Sequence, residues 1–392
     1  MFPLPDLTAE QRRTVDLAAG LARDRFAARA ARFDADSAFP YENYADLRAA
    51  GLLGLTIPRE FGGLGADPLT YALVLLEIAK GCSSTALTFN MHCTVLSFIA
   101  ELGSVPQRRR YFDEVLREGK LIASITSEPE SSFRDKFVLQ TVFEPLPGDR
   151  YHVTGVKHFC SLGDAADYYF VSGVRAGALG ARDGLLSALI PREAAGVKIE
   201  NLWNAVGMRG TISHGIRYDT TVDRDQVIGG VGDLLSIDLS GFALGYAATY
   251  LGIGQAALEG AIDYVKTRKQ QPSNDPLCYH PLVQRTIAEM ATSVRAARLL
   301  LFDAARAKAS GDREASMLAV NQSKTYSADV GLDVTGKAIR LAGGRGILKE
   351  LPFERWHRDA LAGPVMPPAN ERCLETAGKL LCGLRAATLE YL

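Results

Sequence analysis

The hydrophobic period of the chain changes twice, near Lys120 and again near Leu234, and those changes restrict the fold more than any single motif. Before Lys120 apolar residues recur at helical spacing. From Lys120 to about Val231 the period is two, in β-branched and aromatic runs such as Tyr168-Tyr169-Phe170-Val171. Helical spacing returns at Leu234 and persists to Leu392, broken by Gln270 to Pro281 and by Gly343-Gly344-Arg345-Gly346. Helices, then strands, then helices is an α+β order without the strand-helix-strand alternation of a parallel dinucleotide-binding sheet. The glycines at 343 to 346 therefore do not read as a phosphate loop of that fold. At 392 residues the chain exceeds what one hydrophobic core usually fills, so two or three units are expected, and the period changes divide it into helical 1–119, β-rich 120–232 and helical 233–392.

Local signals sharpen this outline. Thr8-Ala9-Glu10-Gln11 is a capping box that opens a helix running to about Phe33. A second helix is expected from Pro40 to Gly51 and a third from Asp67-Pro68 to Gly81, each with Pro inside its start and Gly at its end. Between them, Gly51 to Gly65 places five glycines around a short apolar run, the pattern of a tightly folded loop. Ser84 to Leu102 and Pro106 to Glu118 complete the first helical unit. Gly148-Asp149 reads as a hairpin turn leading into Tyr151-His152-Val153-Thr154, inside what should be a small antiparallel barrel or sandwich.

Composition excludes several function classes. The net charge of -1 comes from 44 basic and 45 acidic residues without long blocks of either sign, which disfavours nucleic acid or an anionic membrane as partner. Cys82, Cys93, Cys160, Cys278, Cys373 and Cys382 show neither paired nor metal-ligand spacing. Reduced thiols, no metal site and a soluble cytoplasmic protein are expected, the N-terminal residues lacking the pattern of a secretion signal.

One short stretch stands out where the helical part gives way to strands. In Lys157-His158-Phe159-Cys160-Ser161, strand alternation puts Phe159 and Ser161 on one face and turns His158 away. An aromatic wall beside a hydroxyl suits the edge of a flat heteroaromatic ring. Taken alone it is first of all the pattern of an ordinary strand.

These elements resemble, in family order and over nearly the whole chain, the acyl-CoA dehydrogenase family of flavoproteins. Gly51 to Gly65 is similar to the family's N-terminal loop, Ser127-Glu128-Pro129 to its Thr-Glu-Pro element, and Phe159-Cys160-Ser161 to its Trp-Ile-Thr/Ser element. Gly207-Met208-Arg209-Gly210-Thr211 resembles the segment closing the barrel. Arg268 falls where the family has an arginine, and Leu341 to Gly346 precedes Arg358-Asp359-Ala360 at the family spacing. The resemblance implies an N-terminal helical domain, a middle antiparallel β-barrel and a C-terminal four-helix bundle, with FAD between barrel and bundle. It further implies that Ile125, Ser127 and Ser161 face the flavin edge and that Phe159 walls its face. Arg268, Gly343, Gly344 and Gly346 would contact the pyrophosphate from a neighbouring subunit, so a homodimer or homotetramer is expected. Simpler readings remain for two of these: a turn-capping hydroxyl for Ser127 and an exposed helix-end cation for Arg268.

The chain departs from the family where chemistry is decided. The family's dehydrogenases take an α-proton with a glutamate and pass the β-hydride to the flavin N5. The interval from Arg358-Asp359-Ala360 to that glutamate lands here on Met366-Pro367-Pro368, and the alternative position on the first C-terminal helix holds Phe242. Neither can accept a proton. Glu371, about one helical turn on, is the candidate displaced base. His92 is a candidate polar group over the flavin or a partly buried helical histidine, and His92, Phe242 and Met366 are candidates to line the substrate site. The run after Pro129, from Glu130 to Phe133, lacks the family's Gly-x-Gly-Ser, and Gln270-Gln271 replaces a Phe-Gly. Three functions stay open: oxidation of an acyl thioester on CoA or a carrier protein, with an electron-transfer flavoprotein or dioxygen as acceptor; flavin-dependent monooxygenation; and ligand binding without catalysis.

Overall fold

The structure, a computed structural model, describes residue 2 and residues 5–129 and 139–384. Six described helices of the first helical unit follow the punctuation of the sequence. Thr8 caps α1 (Ala9–Leu21), its hydroxyl accepting from Gln11 N while Gln11 Oε1 accepts from Thr8 N. The helix passes through a widened turn, Ala22–Phe26, into α2 (Ala27–Asp36). Next come α3 (Tyr41–Ala49) and α4 (Pro68–Gly81), whose start is capped by Asp67 accepting from Leu69 N and Thr70 N at 2.9 and 3.1 Å. Gln11 Nε2 donates to the same Asp67 at 2.8 Å and so ties α1 to α4. Then follow α5 (Ser83–Leu102) and α6 (Val105–Asp113), the latter ending in a second wide turn, Glu114–Glu118.

The middle unit holds β1 (Ile122–Ile125), β2 (Val142–Leu146), β3 (Arg150–Cys160), β4 (Tyr168–Arg175), a short α7 (Ala181–Gly184), β5 (Leu185–Pro191), β6 (Val197–Asn201) and β7 (His214–Val222). Its strands run in the order β1-β4-β2-β3-β7-β6, with β5 also on β4. Gly148 and Asp149, at φ 79° and 57°, turn β2 back onto β3 so that Leu146 faces Arg150. The pairings are antiparallel except β1 and β2 on β4, which are parallel, so the sheet is mixed where an antiparallel one was expected. Neither of those two short strands is joined to β4 by a hairpin, the connection that an antiparallel pair would allow.

The last unit contains three long helices, α8 (Ser240–Thr267), α9 (Pro281–Ala309) and α10 (Arg313–Ala342), with a small hairpin of β8 (Lys269–Gln270) and β9 (Asp275–Pro276) after α8. Then come α11 (Phe353–Ala360), α12 (Ala362–Val365) and α13 (Asn370–Leu381). From Ala243 to Leu258 every residue of α8 is buried, because it packs against α4 and α5 on one side and against α9 and α10 on the other. Helices α8, α9, α10 and α13 are the expected four-helix bundle. No described helix is long and apolar enough to cross a membrane.

All three units meet at Arg358-Asp359 on α11. Arg358 grips Asp34 of α2 with two bonds of 2.9 and 2.6 Å and also donates to the carbonyl of Val206. The buried Asp359 accepts from Met208 N at 2.6 Å and from the hydroxyl of Ser83 at the start of α5. Gly207 makes this approach feasible, since a Cβ there would lie 2.1 Å from the carbonyl oxygen of Arg358.

Candidate flavin site

The end of β3 and the segment after β1 run side by side. His158 N donates to the carbonyl of Ser127 at 2.9 Å, fixing Ser127 against Phe159's strand. Beneath them Lys157, fully buried, donates to Glu128 Oε1 at 2.7 Å and to the carbonyl of Thr126 at 3.2 Å. Glu128 also accepts from Thr141 N, from the Thr141 hydroxyl and from Gln140 N. Burial opposes its charge, but Lys157 and these bonds outweigh it and hold the carboxyl below its ordinary range.

Phe159 and Ser161 do not share a strand face as alternation required. The register of β3 against β7 shifts between Lys157 and Cys160, and Phe159 adopts a left-handed φ of 56°. β3 ends at Cys160, and Ser161 N turns back to donate to the carbonyl of Phe159 at 2.9 Å. Phe159 is consequently thrown outward, 63% exposed, with His158 and Trp203 edge-on to its ring at 6.1 Å each. Ser161 is drawn in to 6% exposure, its hydroxyl 2.9 Å from that of Ser213. Such strain on an aromatic residue is found where the fold over-determines a conformation for a purpose. Ser127 is half-buried, and Ile125, at 1% exposure, gives its side chain to the core and leaves only backbone for a ligand.

His92 is a buried helical histidine, the second of its two expected readings. Its Nδ1 accepts from Ile122 N at 3.2 Å and its Nε2 lies 3.3 Å from the carbonyl of Leu53, so the ring staples α5 to β1 and to the glycine-rich loop. Burial pushes it down to about 4. Both nitrogens are spent on backbone, which leaves none for a proton transfer.

At both positions where the family places its glutamate the side chains are apolar. Met366 is half-buried against the main core. Phe242 sits in the first turn of α8, its ring edge-on to Tyr246 at 5.8 Å and its carbonyl accepting from the buried Asn90 at 3.0 Å. α13 begins at Asn370, which turns inward, so Glu371 is exposed. A residue the sequence did not single out holds this segment. Lys324 of α10, fully buried, donates to the carbonyl of Gly363 at 3.0 Å and to Asn370 Oδ1 at 2.9 Å, and burial pushes its ammonium down to about 8. A lysine amid the small residues of a bundle helix was the available signal.

Arg268 caps the end of α8 with an exposed side chain, beside a groove of about 610 Å³ lined by Gln270, Leu277, His280, Lys337 and Arg340. At the end of α10, Gly343 has φ 62°, and a Cβ on it or on Gly344 would meet nothing within 4 Å. Gly346 differs, its missing Cβ making room for the carbonyl of Ile339. Residues 130–133 lie outside the described residues. Among the described residues no group of His, Cys, Asp and Glu could hold a metal.

Comparisons with known proteins agree with this arrangement. Models of the N-terminal, middle and C-terminal domains of acyl-CoA dehydrogenase match residues 8–119, 124–221 and 235–379. A cyclohex-1-ene-1-carbonyl-CoA dehydrogenase of Geobacter metallireducens is 30% identical over 380 residues, 96% of this chain and 98% of the relative. A dibenzothiophene monooxygenase of Rhodococcus erythropolis is also 30% identical, over 361 residues and 86% of each chain. The solved butyryl-CoA dehydrogenase of Megasphaera elsdenii superposes with a TM-score of 0.90 at 26% identity, covering 97% of this chain and all of that one. With its three units matched in order and its fold shared end to end, the chain belongs to the acyl-CoA dehydrogenase family of flavin oxidoreductases, whose cofactor is FAD.

Proposed function

We propose that this family member oxidises the carbon chain of an acyl thioester, carried on CoA or on a carrier protein. Phe159 carries the reading: an aromatic ring held outward at a strained φ, between Ser127 and the inward Ser161, has the form of a wall for a flat ring. Ser127 and the backbone from Ile125 would meet the polar edge of the flavin, and Ser161 its N5 side. Arg268, Gly343 and Gly344 would hold the pyrophosphate bound to a second copy of the chain, so that a homodimer or homotetramer completes each site. Open space at both glycines and the exposed cation fit that use. When bound, the flavin supplies the acceptor for a hydride.

The chain's own residues then face the proton. Phe242 and Met366 line the substrate side with apolar surface, and Lys324 keeps the Gly363 to Asn370 segment in place. Glu371, in the first turn of α13, is the carboxylate assigned to the α-proton, reaching it from the exposed end of that segment. Six free cysteines support a reducing, cytoplasmic setting, with electrons leaving to an electron-transfer flavoprotein or to dioxygen.

Anaerobic mixing with acyl-CoAs of graded chain length tests the reading. Loss of the flavin's visible absorbance with one class of acyl group is expected; unchanged absorbance across the panel would count against it. A second reading, oxygen insertion, draws on the apolar Met366-Pro367-Pro368 segment, which suits a substrate that gives up no proton, and on the likeness to a monooxygenase. Prompt stoichiometric peroxide release when the chemically reduced protein meets dioxygen would sink that alternative.

A further inference from the structure

Behind Phe159 three hydroxyls form a chain. Ser161 Oγ lies 2.9 Å from Ser213 Oγ, which lies 2.8 Å from Thr211 Oγ1. Their residues are 6, 6 and 0% exposed. The chain ends at the carbonyl of Met208, 2.8 Å from Thr211 Oγ1. That oxygen also receives Trp203 Nε1–H at 3.0 Å and Thr211 N–H at 3.1 Å. Two lone pairs cannot serve three donors well, and of the three only the Thr211 hydroxyl has another acceptor within reach.

Each hydroxyl has one hydrogen, so the chain has two complete arrangements. In the inward one Ser161 donates to Ser213, Ser213 to Thr211 and Thr211 to the Met208 carbonyl, and Ser161 shows lone pairs to its free side. In the outward one Thr211 donates to Ser213 and Ser213 to Ser161, whose own hydrogen then points to the free side. The Met208 carbonyl keeps its two N–H donors in either case.

We propose that Ser213 and Thr211 are positioning residues that let Ser161 reverse its hydrogen bond to the cofactor, donating to the oxidised ring and accepting from the reduced one. The inference rests on the flavin reading of the Phe159 to Ser161 site. The N5 atom of a flavin accepts a hydrogen bond when oxidised and carries a hydrogen when reduced, so a hydroxyl of fixed polarity would suit one state only. Reversal needs three C–O rotations. No O–H bond breaks and no proton leaves the chain; the hydride that reduces the ring, one proton with two electrons, comes from the substrate.

The consequence has a sign. In Ser213→Ala the inward arrangement leaves the Ser161 hydrogen buried without an acceptor, while the outward one loses only an accepted bond. An unmet buried donor costs more than an under-used acceptor. The reduced state should be disfavoured about tenfold, which a two-electron couple reads as a midpoint potential about 30 mV more negative. The potential of the flavin-loaded protein is measured by equilibration with reference dyes. Thr211→Val should move it the same way, since the Ser213 hydrogen is then the stranded one, and Ser213→Thr should restore the parent value. In a Ser161→Ala background, Ser213→Ala should produce no further shift. Shifts of equal size with and without Ser161, or no shift in either Ser213→Ala or Thr211→Val while flavin stays bound, overturn the relay alone. A parent protein that takes up no flavin overturns the relay and the flavin reading together.

Discussion

Lys157 Nζ lies 2.7 Å from Glu128 Oε1, with both side chains sealed from solvent. The pair joins β3, which carries Phe159 next to its last residue, to the segment that carries Ser127, so it sets the spacing of the proposed wall and edge of the cofactor site. Removing Lys157 takes the cation at 2.7 Å away from a buried carboxylate. Lys157→Met is expected to cost about 3–5 kcal/mol in urea unfolding. Lys157→Met combined with Glu128→Gln should recover much of the loss; a double variant as unstable as the single one would show that loss of the charge pair was not the cause.

The buried His92 gives a different pH signature. Its folded value is pushed down to about 4, whereas the unfolded chain takes its proton near the ordinary value of 6.5. Between those values the unfolded state binds more protons, so stability rises with pH from about 4 to 6.5 and is flat above, by about 3 kcal/mol in all. Glu128, whose folded value is depressed, weakens the fold only as pH falls below the ordinary carboxylate range. Unfolding curves at pH 4.5, 5.5, 6.5 and 7.5 separate the two. His92→Gln should reduce the slope between 4.5 and 6.5, leaving the share of His214 and His357, which burial also pushes down, together with the acid loss.

Phe159 pays for its exposed position with a left-handed backbone. Phe159→Gly should therefore raise the melting temperature of the cofactor-free protein, by relief of about 1 kcal/mol of strain, while weakening FAD binding at least tenfold. Thermal melts with and without added FAD show both effects. A glycine variant that binds FAD as tightly as the parent would remove Phe159 from the site.

Gly344 has an ordinary φ and open space around it. Gly344→Val is accordingly expected to change stability by no more than about 0.5 kcal/mol, as is Arg268→Gln at its exposed helix end. Both should lower FAD affinity, and mixing the two variants should not restore it if each site needs both residues from one neighbouring copy. Titration of apoprotein with FAD, followed by flavin fluorescence, gives the affinities.

The sequence made much of this legible because some signals are local. Thr8 with Gln11, Asp67 with Pro68, and Gly148-Asp149 each act within four residues, and each sits where its chemistry required. Phe159 and Ser161 were expected on one strand face and are not, because alternation presumes an unbroken register and β3 slips beside them. His92 looked reactive because a sequence shows a titratable ring and not the two backbone groups that occupy it. Glu371 differs from Asn370 by one step of helical phase, which decides which of them faces Lys324. The hydroxyl chain and the Arg358-Asp359 junction were invisible, since their partners lie up to 324 residues away.

That junction has a dynamic consequence. Swinging the β unit away from the bundle would break the Met208 to Asp359 bond, and the same movement would pull Val206 from Arg358. Amide exchange at Met208 should thus follow global unfolding rather than a smaller opening. A molecule so riveted at one corner does not open there like a hinged jaw; the Met208 to Asp359 and Arg358 to Val206 bonds hold the β unit and α11 at a fixed separation.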